Sequence, residues 1–207
     1  MAGAALALFL VWFLVIFVAR TAIQKRATGD SGVRTGALSA PIGSIEWVAG
    51  WMLVLALVAG VMAPVSELLG LGPIVSSAPL RVAGAAIAVI GIVLTLLAQS
   101  AMGKEWRIGV DSDERTGLVT DGPFVIVRNP IYGAMFTTAI GLVLMVPNWV
   151  AVVGYVLLVV SVELQVRNVE EPHLRRLHGS EYAAYESRVG RFVPGVGCLP
   201  AGASHGA

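Results

Sequence analysis

Five long apolar runs, separated by short polar segments, restrict what this chain can fold into. They cover residues 4–19, 45–63, 79–99, 131–146 and 149–166. About 20 apolar residues in a helix span the hydrocarbon core of a bilayer, and shorter runs suffice inside a bundle. With 57% hydrophobic and 13% charged residues, the chain also departs from the balance of a soluble domain. The sequence therefore predicts an all-α, polytopic membrane helical bundle with about five transmembrane helices.

The distribution of basic residues predicts the orientation of these helices. Of the 14 Lys and Arg residues, all except Arg81 lie at a span boundary or in a segment assigned to the cytoplasm. Because positively charged loops stay on the cytoplasmic side, we expect the N-terminus outside and the C-terminus in the cytoplasm. We expect an integral protein of a bacterial plasma membrane. Basic residues follow the first run and do not precede it, which predicts a retained helix and not a signal peptide.

The chain divides into three parts by composition. Residues 1–101 contain three transmembrane helices, residues 102–194 contain a polar cytoplasmic loop, a helical hairpin and tail helices, and residues 195–207 are expected to be disordered. We expect the second span to end at Pro64. In the third span, Gly84, Ala88 and Gly91 form a small-residue face on which another helix can lie close.

The tail that follows the last span has helix signals of its own. Pro172 is expected to start a short helix, Gly179 to end it, and Ser180 to cap a second helix. We expect His173 and His178 on the surface of these helices.

Composition argues against several classes of partner. A net charge of +1 argues against a nucleic-acid partner. The single cysteine, Cys198, and three histidines without ligand spacing predict no metal site. Nothing in the sequence indicates an oligomeric state.

Two polar clusters flank the last two apolar runs. The segment LVTDGPFVIVRNPIY, residues 118–132, places Arg128 and Asn129 at the mouth of the fourth run, and the Asn129 side chain can cap the helix that follows. Glu170 and Glu171 lie at the exit of the fifth run. The two runs are connected only by the Pro-Asn dipeptide at 147–148, and so short a connection allows only an antiparallel helical hairpin. We therefore expect Arg128 and the two glutamates to be neighbours on one membrane face.

Residues 102–194 resemble the integral membrane methyltransferases that include isoprenylcysteine carboxyl methyltransferase and the phospholipid N-methyltransferases. The resemblance depends on the order and spacing of the motifs GKEWR at 103–107, LVTDGPF at 118–124, RNPIY at 128–132, EE at 170–171, HGSEY at 178–182 and RFVP at 191–194. It implies that S-adenosylmethionine binds at the cytoplasmic side, between the last two helices and the tail. A lipid-like or isoprenoid acceptor would enter from the membrane.

Site residues carried over by this resemblance form two groups. Arg128 matches an arginine associated with catalysis, and the family commonly has histidine where this chain has Asn129. Glu171 is also a catalytic candidate, because an amine or hydroxyl acceptor would need a glutamate to take its proton. The cofactor-binding candidates are Glu170, Glu171, Asn129, Tyr132, Trp106 and Gly122.

The chemistry of methyl transfer suits these residue types. The ammonium group of the cofactor needs carboxylates, and its carboxylate can bind N–H groups at a helix start. We favour a carboxylate acceptor, which Arg128 would hold by a two-pronged contact without a general base. An amine or hydroxyl acceptor would instead require Glu170 or Glu171 to take a proton.

Alternatives remain open for the whole protein and for single residues. A membrane reductase using NADPH has a similar C-terminal tyrosine and arginine pattern, although no second basic cluster suits the additional phosphate. A non-enzymatic lipid-binding protein on the same scaffold is favoured by Asn129. Glu163 is either a functional acid or an acid at the membrane interface. Trp106 is either an anchor among lipid headgroups or a cofactor contact. Tyr182 and Tyr185 either pack against the bundle or close the pocket.

Overall fold

The structure, a computed structural model, describes residues 1–34, 36–107, 109 and 117–199. These residues form eight α-helices: α1 Ala2–Phe13, α2 Arg20–Thr28, α3 Gly36–Ser39, α4 Ile45–Leu68, α5 Ala78–Met102, α6 Pro130–Met145, α7 Trp149–Gln165 and α8 Glu171–Glu186. Two π-helical turns, Leu14–Ala19 and Val166–Glu170, join α1 to α2 and α7 to α8. The β structure in these ranges is limited to isolated bridges, one of which joins Val127 and Gly190. The predicted all-α class is confirmed. Residues 110–116 of the predicted polar loop lie outside the described part.

Four helices are long and apolar enough to cross a membrane: Ala2–Thr28, Ile45–Leu68, Ala78–Glu105 and Trp149–Glu186. The fourth predicted span, α6, has only 16 residues. It is therefore roughly 24 Å long, shorter than the ~30 Å hydrocarbon core. Every residue of α6 is at least partly buried, so the short helix is sheltered by its neighbours. The chain is an integral membrane protein built as a helical bundle.

Helices α5 and α6 pack at backbone contact through small residues. A Cβ atom added to Gly91 would lie 2.4 Å from the backbone nitrogen of Thr138, and one added to Gly141 would lie 2.4 Å from that of Ala88. Such distances leave no room for a side chain at either position. The small-residue face predicted at Gly84, Ala88 and Gly91 is confirmed, and its partner is α6.

Asn148 fixes the turn between α6 and α7 and ties it to α4. Its Oδ1 accepts a hydrogen bond from the Ala151 N–H at 3.0 Å, and its Nδ2 donates to the Ala63 carbonyl at 2.9 Å. The predicted hairpin is confirmed. The predicted end of the second span at Pro64 is wrong, because α4 continues through this proline to Leu68. Membrane helices tolerate an internal proline where neighbouring helices and side chains supply hydrogen bonds.

Helix α7 runs through its π-helical turn directly into α8, so the separate helix predicted to start at Pro172 is wrong. Glu171 is helical, with φ −62° and ψ −43°, and its N–H donates to the Val166 carbonyl five residues earlier. The wider π turn accommodates the proline ring that follows. The predicted break at Gly179 is confirmed as a kink with φ 51° and ψ −121°. Glycine adopts such a conformation because it has no Cβ.

Residues 195–199 fold back onto the bundle. The Arg191 N–H donates to the Val196 carbonyl at 2.8 Å, and the Leu199 N–H donates to the Glu186 carbonyl at 3.2 Å. The disorder predicted beyond residue 194 therefore does not hold for this segment, because backbone hydrogen bonds fix it. Residues 200–207 lie outside the described part of the chain.

Candidate active site

Arg128 and Glu171 form a buried ion pair beside the start of α6. The Arg128 Nη2 donates to Glu171 Oε1 at 2.7 Å, and the two side chains are 1% and 2% exposed. Glu171 also accepts hydrogen bonds from Arg191 Nε and Nη2 at 2.7 and 2.8 Å, and from Arg175 at 3.3 Å. Three guanidinium groups therefore surround one carboxylate. The predicted proximity of Arg128 to the glutamate pair is confirmed.

This cluster is held in its charged form. The hydrogen bond to Glu171 raises the pKa of the Arg191 guanidinium above its ordinary value. Arg175 also binds the Glu186 carboxylate at 2.8 Å, which brings a second anion to the three cations. Buried charges of opposite sign are stable when they are paired and hydrogen-bonded in this way.

The other donors of Arg128 hold the C-terminal tail. Its Nη1 donates to the carbonyls of Glu186 at 3.0 Å and Val189 at 2.6 Å, and its Nη2 donates to the Gly197 carbonyl at 3.1 Å. Both N–H groups of each terminal nitrogen are therefore bonded to protein. The Nε–H is buried and has no partner among the described residues. Arg128 thus cross-links the start of α6 to the tail.

Glu170 has different surroundings from Glu171. The Tyr132 hydroxyl donates to Glu170 Oε1 at 2.6 Å. Glu170 is the last residue of the π-helical turn and Glu171 the first of α8. Because successive residues of a helix point about 100° apart, the two carboxylates face different neighbours. Glu170 faces a tyrosine, and Glu171 faces the arginines.

A cavity of about 230 Å³ lies beside these residues. Its apolar wall comes from helices that cross the membrane and includes Ile16, Phe17, Leu53 and Met135. Its polar and aromatic wall includes Gln99, Glu105, Trp106, Arg107, Arg128, Asn129, Tyr132, Glu170, His173, Tyr182 and Tyr185. The cavity therefore joins the interior of the bundle to the polar cluster near the predicted cytoplasmic face.

The structure brings most of the predicted site residues to this cavity. The lining contains the candidates Trp106, Arg128, Asn129, Tyr132 and Glu170. Two candidates lie elsewhere. Glu171 is enclosed by arginines, and Gly122 is exposed at the start of the 3-10 turn Gly122–Val125, where its φ is 57°.

Asn129 precedes α6 but does not cap it, contrary to the sequence prediction. Its side chain makes no capping hydrogen bond. Its Nδ2 donates to the Arg191 carbonyl at 3.3 Å, and its backbone N–H donates to the same oxygen at 3.0 Å. The Asn129 side chain therefore binds the tail and not the start of α6. Asn129 anchors the tail while it lines the cavity.

Trp106 lies inside the protein and not among lipid headgroups, so the headgroup alternative is wrong. It is 2% exposed, and the guanidinium carbon of Arg20 lies 5.0 Å from its ring centre. The Gln24 Nε2 donates to the Lys104 carbonyl at 2.7 Å nearby. Helix α2 therefore fixes the segment that carries Trp106 against the cavity.

The structure also gives the surroundings of three other residues for which alternatives were open. Tyr182 and Tyr185 are buried and line the cavity, and the Tyr185 hydroxyl donates to the Phe124 carbonyl at 2.6 Å. Both tyrosines therefore pack against the bundle and close the pocket. Glu163 pairs with Arg167 one turn later on the same helix and is absent from the lining.

Sequence reasoning missed several polar residues of the lining, among them His173, Gln99 and Glu105. His173 was expected on the surface but is buried, with 9% exposure; it follows Glu170 by three residues, the spacing of neighbours on one helix face. Gln99 and Glu105 were not singled out. The spacing along α5 could have identified Gln99, because this residue continues the buried stripe of Gly84, Ala88, Gly91 and Thr95.

Known proteins match the part of the chain that forms most of this cavity. The family model for phospholipid methyltransferases matches residues 80–181, from α5 into α8. Protein-S-isoprenylcysteine O-methyltransferase B of Arabidopsis thaliana is 26% identical over 115 residues, which cover 55% of this chain and 58% of that protein. The aligned region thus spans less than two thirds of this relative. These matches support a membrane methyltransferase family of the phospholipid and isoprenylcysteine type for this part of the chain.

Proposed function

We propose that the chain catalyses S-adenosylmethionine-dependent methyl transfer to a hydrophobic acceptor dissolved in the membrane. The observation that carries this proposal is a cavity in which apolar walls of transmembrane helices meet the Tyr132–Glu170 pair. A lipid-like acceptor can bring its polar head to such a site while its chain stays among apolar side chains. The site would face the cytoplasm, where the cofactor is made.

The residues present fit the cofactor. S-adenosylmethionine supplies an activated methyl group on a sulfonium and has an amino-acid end with an ammonium and a carboxylate. Glu170 and Glu105 line the cavity and suit the ammonium. The buried Nε–H of Arg128, which has no partner among the described residues, suits the carboxylate. We propose that Glu170, oriented by Tyr132, holds the ammonium.

Arg128 fits a positioning role better than a substrate clamp. A two-pronged contact to a carboxylate acceptor would require terminal N–H groups that are all bonded to Glu171 and to tail carbonyls. The preference for a carboxylate acceptor rested on that contact and loses its support. An amine or hydroxyl acceptor must lose a proton when its new bond to carbon forms, and Glu105 or Glu170 can take that proton.

Calorimetry with S-adenosylhomocysteine tests cofactor binding. We expect the detergent-solubilised wild-type protein to bind, and the Glu170→Gln variant to bind at least about tenfold more weakly, because a hydrogen bond to a charged group contributes roughly 1.5–3 kcal/mol. Glu163→Gln is the matched control, since Glu163 lies on the preceding helix outside the cavity. Absence of binding by well-folded wild-type protein, or equal affinity in Glu170→Gln, would contradict the proposal.

Transfer of an isotope-labelled methyl group into total membrane lipid tests the reaction itself. Mass identification of the labelled species would then give the acceptor. NADPH titrated in the same calorimetric assay tests the reductase alternative. Cofactor binding without methylation of any lipid extract would favour the non-enzymatic alternative.

A further inference from the structure

The orientation of the Gln99 amide is fixed by its own hydrogen bond. Gln99 is 2% exposed, and its Nε2 donates to the Ile16 carbonyl at 3.2 Å. Because a carbonyl oxygen only accepts hydrogen bonds, the amide nitrogen has to face Ile16. The amide oxygen therefore points away from the Ile16 carbonyl.

This oxygen is buried without a donor. Gln99 Oε1 accepts no hydrogen bond from any residue that the structure describes, and Gln99 lines the cavity. A buried acceptor left without a donor is unfavourable, and most such atoms in folded proteins have a partner. An occupant of the cavity can supply this partner.

The position of Gln99 indicates which occupant this is. The contacts of Gly91 with Thr138 and of Gly141 with Ala88 set the register of α5 against α6. The same register, continued toward the ends of these helices, places Gln99 beside Pro130. Gln99 is bonded to Ile16 in the π-helical turn between α1 and α2, on the side of the apolar lining residues Ile16 and Phe17. Glu170 ends the π-helical turn that follows α7.

We infer that Gln99 is a specificity-determining residue whose amide oxygen accepts a hydrogen bond from an N–H or O–H group on the head of the hydrophobic acceptor. This inference rests on the proposed function for the identity of the acceptor. Chemically, Gln99 favours a head group that carries a proton donor. It disfavours a bare carboxylate or an ester, whose oxygens would face the amide oxygen without a hydrogen.

Binding of matched single-chain probes tests this inference without turnover. Hexadecanol and hexadecyl methyl ether differ only in the capped hydroxyl, and palmitate adds an anionic head without a donor. Each is added at equal mole fraction to the detergent-solubilised protein, and affinity is obtained from the thermal stabilisation that it produces. We expect wild-type protein to bind hexadecanol about tenfold more tightly than the ether or palmitate.

The Gln99→Met variant keeps the volume of the side chain and removes the amide. We expect it to lose the preference for hexadecanol while its affinity for S-adenosylhomocysteine stays within about twofold of wild type. Thr95→Val is the matched control: Thr95 lies one turn away on the same buried stripe and bonds only its own helix, at Gly91. This variant should keep the preference.

Each outcome decides the inference. Equal affinity of wild-type protein for hexadecanol and its ether would overturn it even if Gln99→Met does not fold, and would leave water as the partner of the amide oxygen. A preference that persists in Gln99→Met would overturn it too, as would a loss of S-adenosylhomocysteine affinity with unchanged probe binding. If no form of the protein binds S-adenosylhomocysteine but the preference follows Gln99, the proposed function fails and the hydrogen-bonding role stands.

Discussion

At the scale of single residues, two adjacent glutamates have different partners and therefore different roles. Glu171 accepts hydrogen bonds from three arginines and is 2% exposed, whereas Glu170 accepts one from Tyr132 and lines the cavity. A carboxylate that is saturated by guanidinium groups has little capacity left for a ligand. We therefore propose that Glu171 stabilises the tail and that Glu170 binds the cofactor.

The Glu171→Gln substitution separates these roles. It removes the anion between Arg128 and Arg191, and breaking a buried ion pair from one side costs roughly 3–5 kcal/mol of unfolding free energy. Unfolding in mixed micelles of increasing denaturing detergent measures this loss. Glu181→Gln, at an exposed position of the same helix, should change the unfolding free energy by less than about 0.5 kcal/mol. A Glu171→Gln protein with wild-type stability and no cofactor affinity would reverse the assignment.

At the scale of elements, the bundle is organised by a close contact between α5 and α6. Gly84, Gly91 and Gly141 let the two backbones touch, and the same contact sets Gln99 beside the start of α6. Transmembrane helices gain little from the hydrophobic effect against each other, so close van der Waals packing of small residues has a large share in their association. The geometry of the site thus depends on glycines that lie outside it.

Gly91→Ala should separate these helices. The added Cβ would lie 2.4 Å from the nitrogen and the hydroxyl oxygen of Thr138, and overpacking of this kind costs roughly 1–3 kcal/mol of unfolding free energy, occasionally more. Gly3→Ala is the control, because nothing lies within 4 Å of the added atom and Gly3 is also helical. Thermal unfolding in detergent compares the two. Equal stability of the two variants would show that α5 and α6 do not pack this closely.

At the scale of the whole molecule, charge is distributed unevenly between the two ends of the bundle. The polar cluster around Glu171 and most basic residues lie at one end. At the other end, the Arg81 guanidinium binds Glu67 at 2.6 Å. This pair neutralises the single basic residue that departs from the predicted charge pattern. The asymmetry favours an orientation with the cluster and the cavity mouth in the cytoplasm.

Chemical labelling of the single cysteine, Cys198, tests this orientation. Cys198 is partly exposed in the tail that Arg128 holds. We expect a membrane-impermeant maleimide to label it in inverted membrane vesicles and not in intact cells. The doubly substituted Ser76→Cys, Cys198→Ser protein is the control, because Ser76 is exposed in the α4–α5 connection and should show the opposite pattern. Labelling of Cys198 from outside intact cells would contradict the orientation.

The sequence by itself determined the features that depend on local pattern. Apolar runs predicted the spans, the Pro-Asn dipeptide predicted the hairpin, and the hairpin predicted that Arg128 meets the glutamate pair. The small-residue face on α5 followed from spacing along one helix. These predictions succeeded because a membrane forces backbone groups into helices, and helices present residues with a fixed period.

Only the tertiary structure decided which polar groups face the cavity. The π-helical turn before Glu171 changes the helical phase, so no regular period distinguishes Glu170 from Glu171. Three features depend on segments that lie far apart in sequence. They are the burial of His173, the docking of the tail on Arg128 and Asn129, and the Gln99 amide oxygen, which has no partner among the described residues. A local pattern gives the face of the helix on which a residue lies. The hydrogen bonds of a buried polar atom depend instead on which distant segment of the chain packs against it.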